Sequence, residues 1–210
     1  FPFVKTTSQL IMAALVTQRQ QVGSWVARKC AEGLTALNRH MFSIGLVNTS
    51  AGNDAQLRWQ RCVPLLESIF PSCEISLMAV TPPSGHHKDR HYTVIDHTGR
   101  AFSHIRDDNA SQCLVTNVVL AQTSRYSHNH MANGILPLDF EIDGNCNHEN
   151  QSFLCVPLWA HDTSCPFSGV ALFRCKEEII PAHGREAIIT LMNAAAPMLQ
   201  AWMAVHAHVI

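Results

Sequence analysis

The sequence lacks an excess of charge of either sign. Its 210 residues include 15 Lys and Arg against 16 Asp and Glu, which leaves a formal net charge of -1. Domains that bind nucleic acid or attach to anionic membranes usually carry a strongly basic surface. The composition therefore gives no electrostatic reason to expect a nucleic acid or an acidic membrane surface as a partner.

Long uncharged apolar runs are missing as well. A membrane-spanning helix needs about 20 consecutive apolar residues. Lys5 and the charged residues between positions 19 and 29 interrupt the only early apolar stretch. We therefore expect no membrane insertion. The first residues, Phe1-Pro2-Phe3, contain no initiator Met, which predicts that the chain is part of a longer protein.

Recognisable metal and catalytic motifs are absent, although the chain has 13 His and 8 Cys. It contains neither Cys-x-x-Cys nor His-Glu-x-x-His, and it has no phosphate loop. Scattered His residues in polar loops are typical of solvated surface. We expect no metal site and no resident cofactor. The eight irregularly spaced cysteines are typical of buried residues in a reducing compartment, which favours a cytoplasmic location.

Apolar residues at helical spacing predict a long helix from Thr6 to Ile44, with Gly23 and Gly33 as candidate breaks. This helix has to pack against its own domain or against a second copy of the chain. The other predicted elements are a helix over 55–70 kinked at Pro64, a strand over 73–81, a hairpin over 92–95 and 101–105, a helix over 112–123, and a last helix over 185–208 bent at Pro197. The polar stretch 124–151 is predicted to be a functional loop or a disordered segment.

The most informative stretch runs from Ser152 to His161 (SFLCVPLWAH), followed after a polar turn by Gly169 to Arg174 (GVALFR). Both halves are apolar and predict two buried strands of a hairpin. Pro157 has no N–H to donate, so it requires an edge or a bulge there. The Val-Pro-Leu and Gly-Val-Ala-Leu pair, followed by a basic residue, resembles the GAF family of regulatory and sensory domains.

This resemblance implies an α+β fold. A GAF-like domain has a central antiparallel sheet of about six strands, with the N- and C-terminal helices packed on one face and a loop-covered pocket on the other. We predict that residues 1–52 form an N-terminal helical extension and that residues 53–210 form the GAF-like domain. The apolar faces of the terminal helices predict a homodimer.

GAF domains often bind small molecules, cyclic nucleotides among them, and the resemblance implies where the pocket would be. The predicted lining residues are Val119, Thr123, Asn133, Asp139, Ser152, Phe153 and Cys155. Turn formation or helix capping is the alternative role for the polar members. The Asn-Lys and acidic pair usual in the cyclic-nucleotide branch are replaced here by Phe173-Arg-Cys-Lys176, which weakens the case for that ligand without excluding another.

Free methionine-(R)-sulfoxide reductases of GAF type suggest an enzymatic alternative. Cys146 lies about where their nucleophile would, and His148 could lower its pKa. However, Cys113 is the only cysteine upstream in the core, and the paired cysteines of that branch are missing. The sequence therefore favours a non-catalytic regulatory or sensor domain that binds a small molecule. An interaction domain with a vestigial pocket is the third interpretation.

Overall fold

The computed structural model describes residues 2–45, 61–81, 91–105, 114–128, 152–158, 168–175 and 180–207. The helices are α1 (Pro2–Gly45), α2 (residues 61–69), α3 (Leu114–Ala121) and α4 (Ala182–Ala207). The strands are β1 (Cys73–Thr81), β2 (His91–Asp96), β3 (Ala101–Ile105), β4 (Arg125–His128), β5 (Ser152–Leu158) and β6 (Ser168–Cys175).

The strands form one antiparallel sheet in the order β3-β2-β1-β6-β5-β4. This confirms the α+β prediction. Strands β1 and β6 occupy the centre, and the predicted hairpin of β5 and β6 is present. The pairing of β4 with β5 does not extend beyond Arg125 and Cys155. Among the described residues, therefore, only β6 pairs with β5 at Pro157. Pro157 thus lies where the missing N–H is tolerated.

Several predicted boundaries were wrong. Residues 125–128, predicted as part of an irregular loop, form the edge strand β4. Helix α3 ends at Ala121, two residues before the predicted end, and α4 begins at Ala182, three residues before the predicted start. The candidate breaks in α1 are not used, since the helix runs unbroken through Gly23 and Gly33. The predicted helix start at residue 55 lies outside the described residues.

Helices α2 and α4 cover one face of the sheet, which we call the helix face, and α1 packs against α4. Alternate side chains of β1 (Ile75, Leu77 and Ala79) point to this face, as the period of two along a strand requires. Val26, Cys30 and Leu37 of α1 are buried in the same cluster, together with residues of α2 and α4. The apolar side predicted for each terminal helix is thus the side that is buried in this cluster.

Helices α1 and α4 run parallel to each other. Their contacts advance together along both chains: Trp25 meets His183 with ring centroids 5.0 Å apart, the Cys30 thiol donates to the Ala187 carbonyl, and Gly33 approaches Leu191. Because α4 starts beside Trp25, residues 2–24 of α1 extend past it by about 35 Å. We call these residues the α1 arm.

The opposite side of the sheet, which we call the α3 face, carries helix α3. Its apolar cluster contains Met78 and Val80 of β1, Phe153 and Cys155 of β5, Val170 and Leu172 of β6, Val94 of β2, and Leu114, Val115 and Val118 of α3. The sheet therefore has a packed apolar layer on both sides. No helix within the described ranges combines the length and the apolar character needed to cross a membrane.

Candidate functional site

The structure brings three of the predicted lining residues together on the α3 face. Phe153 and Cys155 are almost completely buried, and Val119 of α3 packs against their cluster. Thr123 is exposed in the turn that follows α3. A ligand site on this side of the sheet, lined by these residues, stays a prediction. Their apolar side chains could form its wall but could not orient a polar ligand.

Ser152, one of the polar residues predicted for the site, has its side chain on the opposite side of the sheet. It is fully buried, and alternation along β5 places its side chain on the helix face with Leu154. Its hydroxyl accepts a hydrogen bond from the backbone N–H of Ile180 at 3.2 Å. Ser152 therefore ties the chain just before α4 to strand β5, which is a structural role. Asn133, Asp139, Cys113, Cys146 and His148 lie outside the described residues.

The α3 face also carries a charged residue, Arg174, which was not among the predicted site residues. Arg174 of β6 is in register with Phe153 of β5 on one side and with Glu74 of β1 on the other. Directly opposed residues of neighbouring strands share a face. Phe153, Arg174 and Glu74 therefore form a row across the α3 face. Arg174 Nη2 donates to Glu74 Oε1 at 2.7 Å, and the Arg174 side chain is only 18% exposed.

The Arg174 guanidinium is incompletely satisfied. Its Nε is buried and has no hydrogen-bond partner. A buried unpaired donor is costly, and a charged one more so, which makes it a natural binding point for an acceptor. The signal in the sequence was the basic residue that follows Gly-Val-Ala-Leu-Phe. That pattern indicates the end of a strand, but it does not show that two neighbouring strands place Phe153 and Glu74 beside the arginine.

His97 is a second incompletely satisfied group, in the β2–β3 turn. Asp96 Oδ1 organises this turn by accepting hydrogen bonds from Thr98 and from the N–H of Arg100. His97 Nδ1 is buried without a partner. Burial lowers the pKa of His97, the nearby carboxylates of Asp96 and Glu67 raise it, and the positive charge of Arg174 lowers it. The net direction is downward, so the imidazole favours its neutral form.

The described part of the chain contains no group of metal ligands and no cysteine placed for thiol catalysis. Within those ranges no three His, Cys, Asp or Glu side chains are grouped as metal ligands. The cysteines there are all buried, namely Cys30, Cys62, Cys73, Cys155 and Cys175. A nucleophilic thiolate needs an exposed environment that stabilises its charge. Burial instead raises the pKa of Cys62 to about 12.

Comparisons with known proteins agree with this architecture. No protein-family model and no curated protein matches the sequence. The GAF domain from a phosphoenolpyruvate-protein phosphotransferase of Coxiella burnetii is 13% identical with a TM-score of 0.52, and the match covers 85% of this chain and 96% of that one. The GAF domain of an Acinetobacter phosphoenolpyruvate-protein phosphotransferase is 15% identical with a TM-score of 0.47, covering 84% and 95%. The similarity to the first of these, together with the sheet and helix layers, shows that the chain has a GAF-like fold.

Proposed function

We propose that this chain is a non-catalytic regulatory domain that binds a small anionic molecule on the α3 face and signals through α1 and α4. The observation that carries the proposal is the buried, unpaired Nε of Arg174 beside the apolar wall of Phe153. A guanidinium with a free donor suits a carboxylate or phosphate oxygen. A cyclic nucleotide has both phosphate oxygens and a flat base. Cyclic nucleotides are therefore the first ligands to test.

The connection from this face to the helices is short. Phe173, the neighbour of Arg174 on β6, points to the helix face and packs edge-on against Phe70 at the end of α2, with ring centroids 5.9 Å apart. A ligand that moved Arg174 would therefore act on a strand whose other side supports the helices. The shift it could cause is limited by its difference in affinity for the two arrangements.

We also propose that the α1 arm forms the homodimer contact. Leu10, Ile11, Met12, Leu15 and Val16 are each more than half exposed, which leaves an apolar surface unpartnered on the arm. Ile11 and Leu15 lie on the same stripe of α1 as Val26, which packs in the core. The arm of a second copy has the same apolar stripe, so pairing two arms would bury both.

Ligand binding is tested by isothermal titration calorimetry with cyclic AMP, cyclic GMP and uncharged adenosine. We expect one or both cyclic nucleotides to bind and Arg174→Gln to weaken that binding at least tenfold. The matched control is Arg28→Gln, which removes an exposed arginine on α1 and should leave the affinity unchanged. Equal affinities in both variants would remove Arg174 from the site.

One observation favours the interaction domain with a vestigial pocket as a second candidate. Phe153, Cys155 and Leu172 are fully covered by their neighbours on the α3 face, as in an ordinary core. If the calorimetry shows no binding of the cyclic nucleotides while the chain is dimeric, this second function is the better account.

Dimerisation is tested by sedimentation equilibrium of the wild-type chain and of the double variant Ile11→Lys with Leu15→Lys. We expect a dimer that becomes a monomer in the variant. Gln20→Lys with Ser24→Lys adds the same two charges on the opposite side of α1 and should leave the dimer intact. A monomeric wild-type chain at micromolar concentration would contradict the proposal.

A further inference from the structure

Two cysteines face each other on the two central strands of the sheet. Cys73 is the first residue of β1, Cys175 is the last residue of β6, and their Cα atoms are register partners. Both side chains belong to the apolar cluster on the helix face. Two thiols thus lie on adjacent strands, directly opposite each other and on the same side of the sheet.

The hydrogen-bond pattern shows which kind of pair they form. The Cys73 N–H donates to the Phe70 carbonyl at 2.9 Å, and the Ile75 N–H donates to Glu67 Oε1 at 3.2 Å. Both N–H groups therefore point away from β6. In an antiparallel ladder this identifies Cys73 and Cys175 as a non-hydrogen-bonded pair, whose Cα atoms are typically about 4.5 Å apart. Disulfides span Cα separations of about 4.4 to 6.8 Å, so this pair can be bridged with little backbone movement.

We propose that Cys73 and Cys175 are a redox modification site, at which a peroxide or a small disulfide converts the two thiols into a reversible cross-strand disulfide. With hydrogen peroxide, one thiolate attacks an oxygen and becomes a sulfenic acid while hydroxide leaves and takes up a proton. The second thiolate then attacks that sulfur and displaces the hydroxyl as water. In total two thiols and one peroxide give one disulfide and two waters.

None of the other described thiols lies opposite a cysteine on a neighbouring strand. Cys30 donates to the Ala187 carbonyl, Cys155 is in register with Leu172 and Arg125, and Cys62 lies on α2. Burial raises the pKa of Cys30 and of Cys62, which lowers their thiolate fractions. Cys73 and Cys175 are also buried, at 8% and 3% exposure, but each is a terminal residue of its strand. Local opening is easiest at such ends, and it gives an oxidant access.

The bridge would stiffen a junction between the sheet and the helices. Cys175 is in register with Ser152 as well as with Cys73, and the Ser152 hydroxyl holds the Ile180 N–H just before α4. A disulfide here would link the starts of β1 and α4 through one end of the sheet. Oxidation would thereby restrict movement where α4 and α1 begin their contact.

The test is peptide mapping of the folded chain after mild oxidation. The protein is treated with hydrogen peroxide or diamide, alkylated with iodoacetamide, digested without reductant and analysed by mass spectrometry. We expect a peptide pair joined through Cys73 and Cys175, lighter by two hydrogens than the separate peptides and released by dithiothreitol. We also expect the thermal midpoint to rise by several degrees, because the bond closes a loop of roughly 100 residues in the unfolded chain.

Two variants sharpen the result. Cys175→Ser should abolish the linked peptide, and Cys62→Ser, which removes a thiol from the same cluster, should retain it. The inference is overturned if both thiols of the folded wild-type chain remain alkylatable after oxidation, or if they pair instead with Cys113, Cys146 or Cys165. The mapping uses the wild-type chain, so it decides the question even if a variant fails to fold.

Discussion

Gly33 of α1 lies directly against Leu191 of α4: a Cβ added at residue 33 would be 2.6 Å from Leu191 Cδ2 and 2.9 Å from Cδ1. Real side chains do not approach that closely. The same Cβ would be 3.4 Å from Cδ1 of Ile69, at the end of α2. The absence of a side chain at this one position therefore allows three helices to meet on the helix face. In the function proposed above, a signal from the sheet would reach α1 and α4 through this contact.

Replacing Gly33 with alanine should destabilise the fold. The new methyl group has to displace Leu191, which is completely buried, and overpacking of this kind costs about 1 to 3 kcal/mol in the free energy of unfolding. Gly23→Ala is the matched control, since nothing lies within 4 Å of its added Cβ. There the better helix propensity of alanine should stabilise the protein by up to about 1 kcal/mol. Urea denaturation measures both values, and equal stabilisation would show that Leu191 moves aside freely.

Ser152→Ala should lower stability without touching the α3 face. The substitution leaves the buried N–H of Ile180 without its acceptor, and an orphaned buried donor costs about 1 to 3 kcal/mol. In the control Ser68→Ala, the lost hydrogen bond to the Leu65 carbonyl is on the surface. Its effect should stay within about 0.5 kcal/mol. A loss of ligand affinity in Ser152→Ala without loss of stability would instead return Ser152 to the binding site.

His97 should make stability depend on pH in the acidic range. Its pKa in the folded chain is lowered from 6.5, so the unfolded chain takes up the proton first as the pH falls. The contribution of His97 is therefore complete above pH 6.5 and is lost as the pH drops from there through the folded pKa. Denaturation of the wild type and of His97→Gln at several pH values should show a shallower decline in the variant.

His40 should add to the same decline. Burial lowers its pKa, and the positive charge of Arg61 lowers it further. The double variant His40→Gln with His97→Gln should accordingly have a shallower slope below pH 6.5 than either single variant. Parallel slopes in all four proteins would mean that neither imidazole resists protonation in the folded chain.

Removal of the Tyr126 hydroxyl should be harmless or stabilising. The Oη atom is buried without a hydrogen-bond partner. The Arg185 guanidinium lies over the Tyr126 ring, with its central carbon 4.2 Å from the ring centroid. Tyr126→Phe keeps the ring and removes the orphaned hydroxyl, which should raise the free energy of unfolding by up to about 1 kcal/mol. Tyr126→Ala removes ring and cation–π contact and should lower it by more than about 1 kcal/mol. Equal losses in the two variants would show that the hydroxyl has a partner.

Elements with strong local periodicity were predicted well. The long helix α1, the alternating strand β1 and the apolar hairpin of β5 and β6 follow from patterns that repeat every 3.6 or every two residues. Strand β4 was missed because it has only four residues, mostly polar, at the edge of the sheet. Its pairing with Cys155 to Ser152 of β5 makes it a strand, and no local pattern specifies a partner so far along the chain.

Local patterns in the sequence were enough to predict most of the helices and strands and their apolar sides, since these depend on neighbours a few residues away. The partners of each element depend on the whole fold. Strand register placed Arg174 between Phe153 and Glu74, and it placed Cys73 opposite Cys175. Ser152, expected in a pocket, was joined to Ile180, 28 residues later. Such contacts join distant parts of the chain, because burial and hydrogen bonding are satisfied over the whole fold.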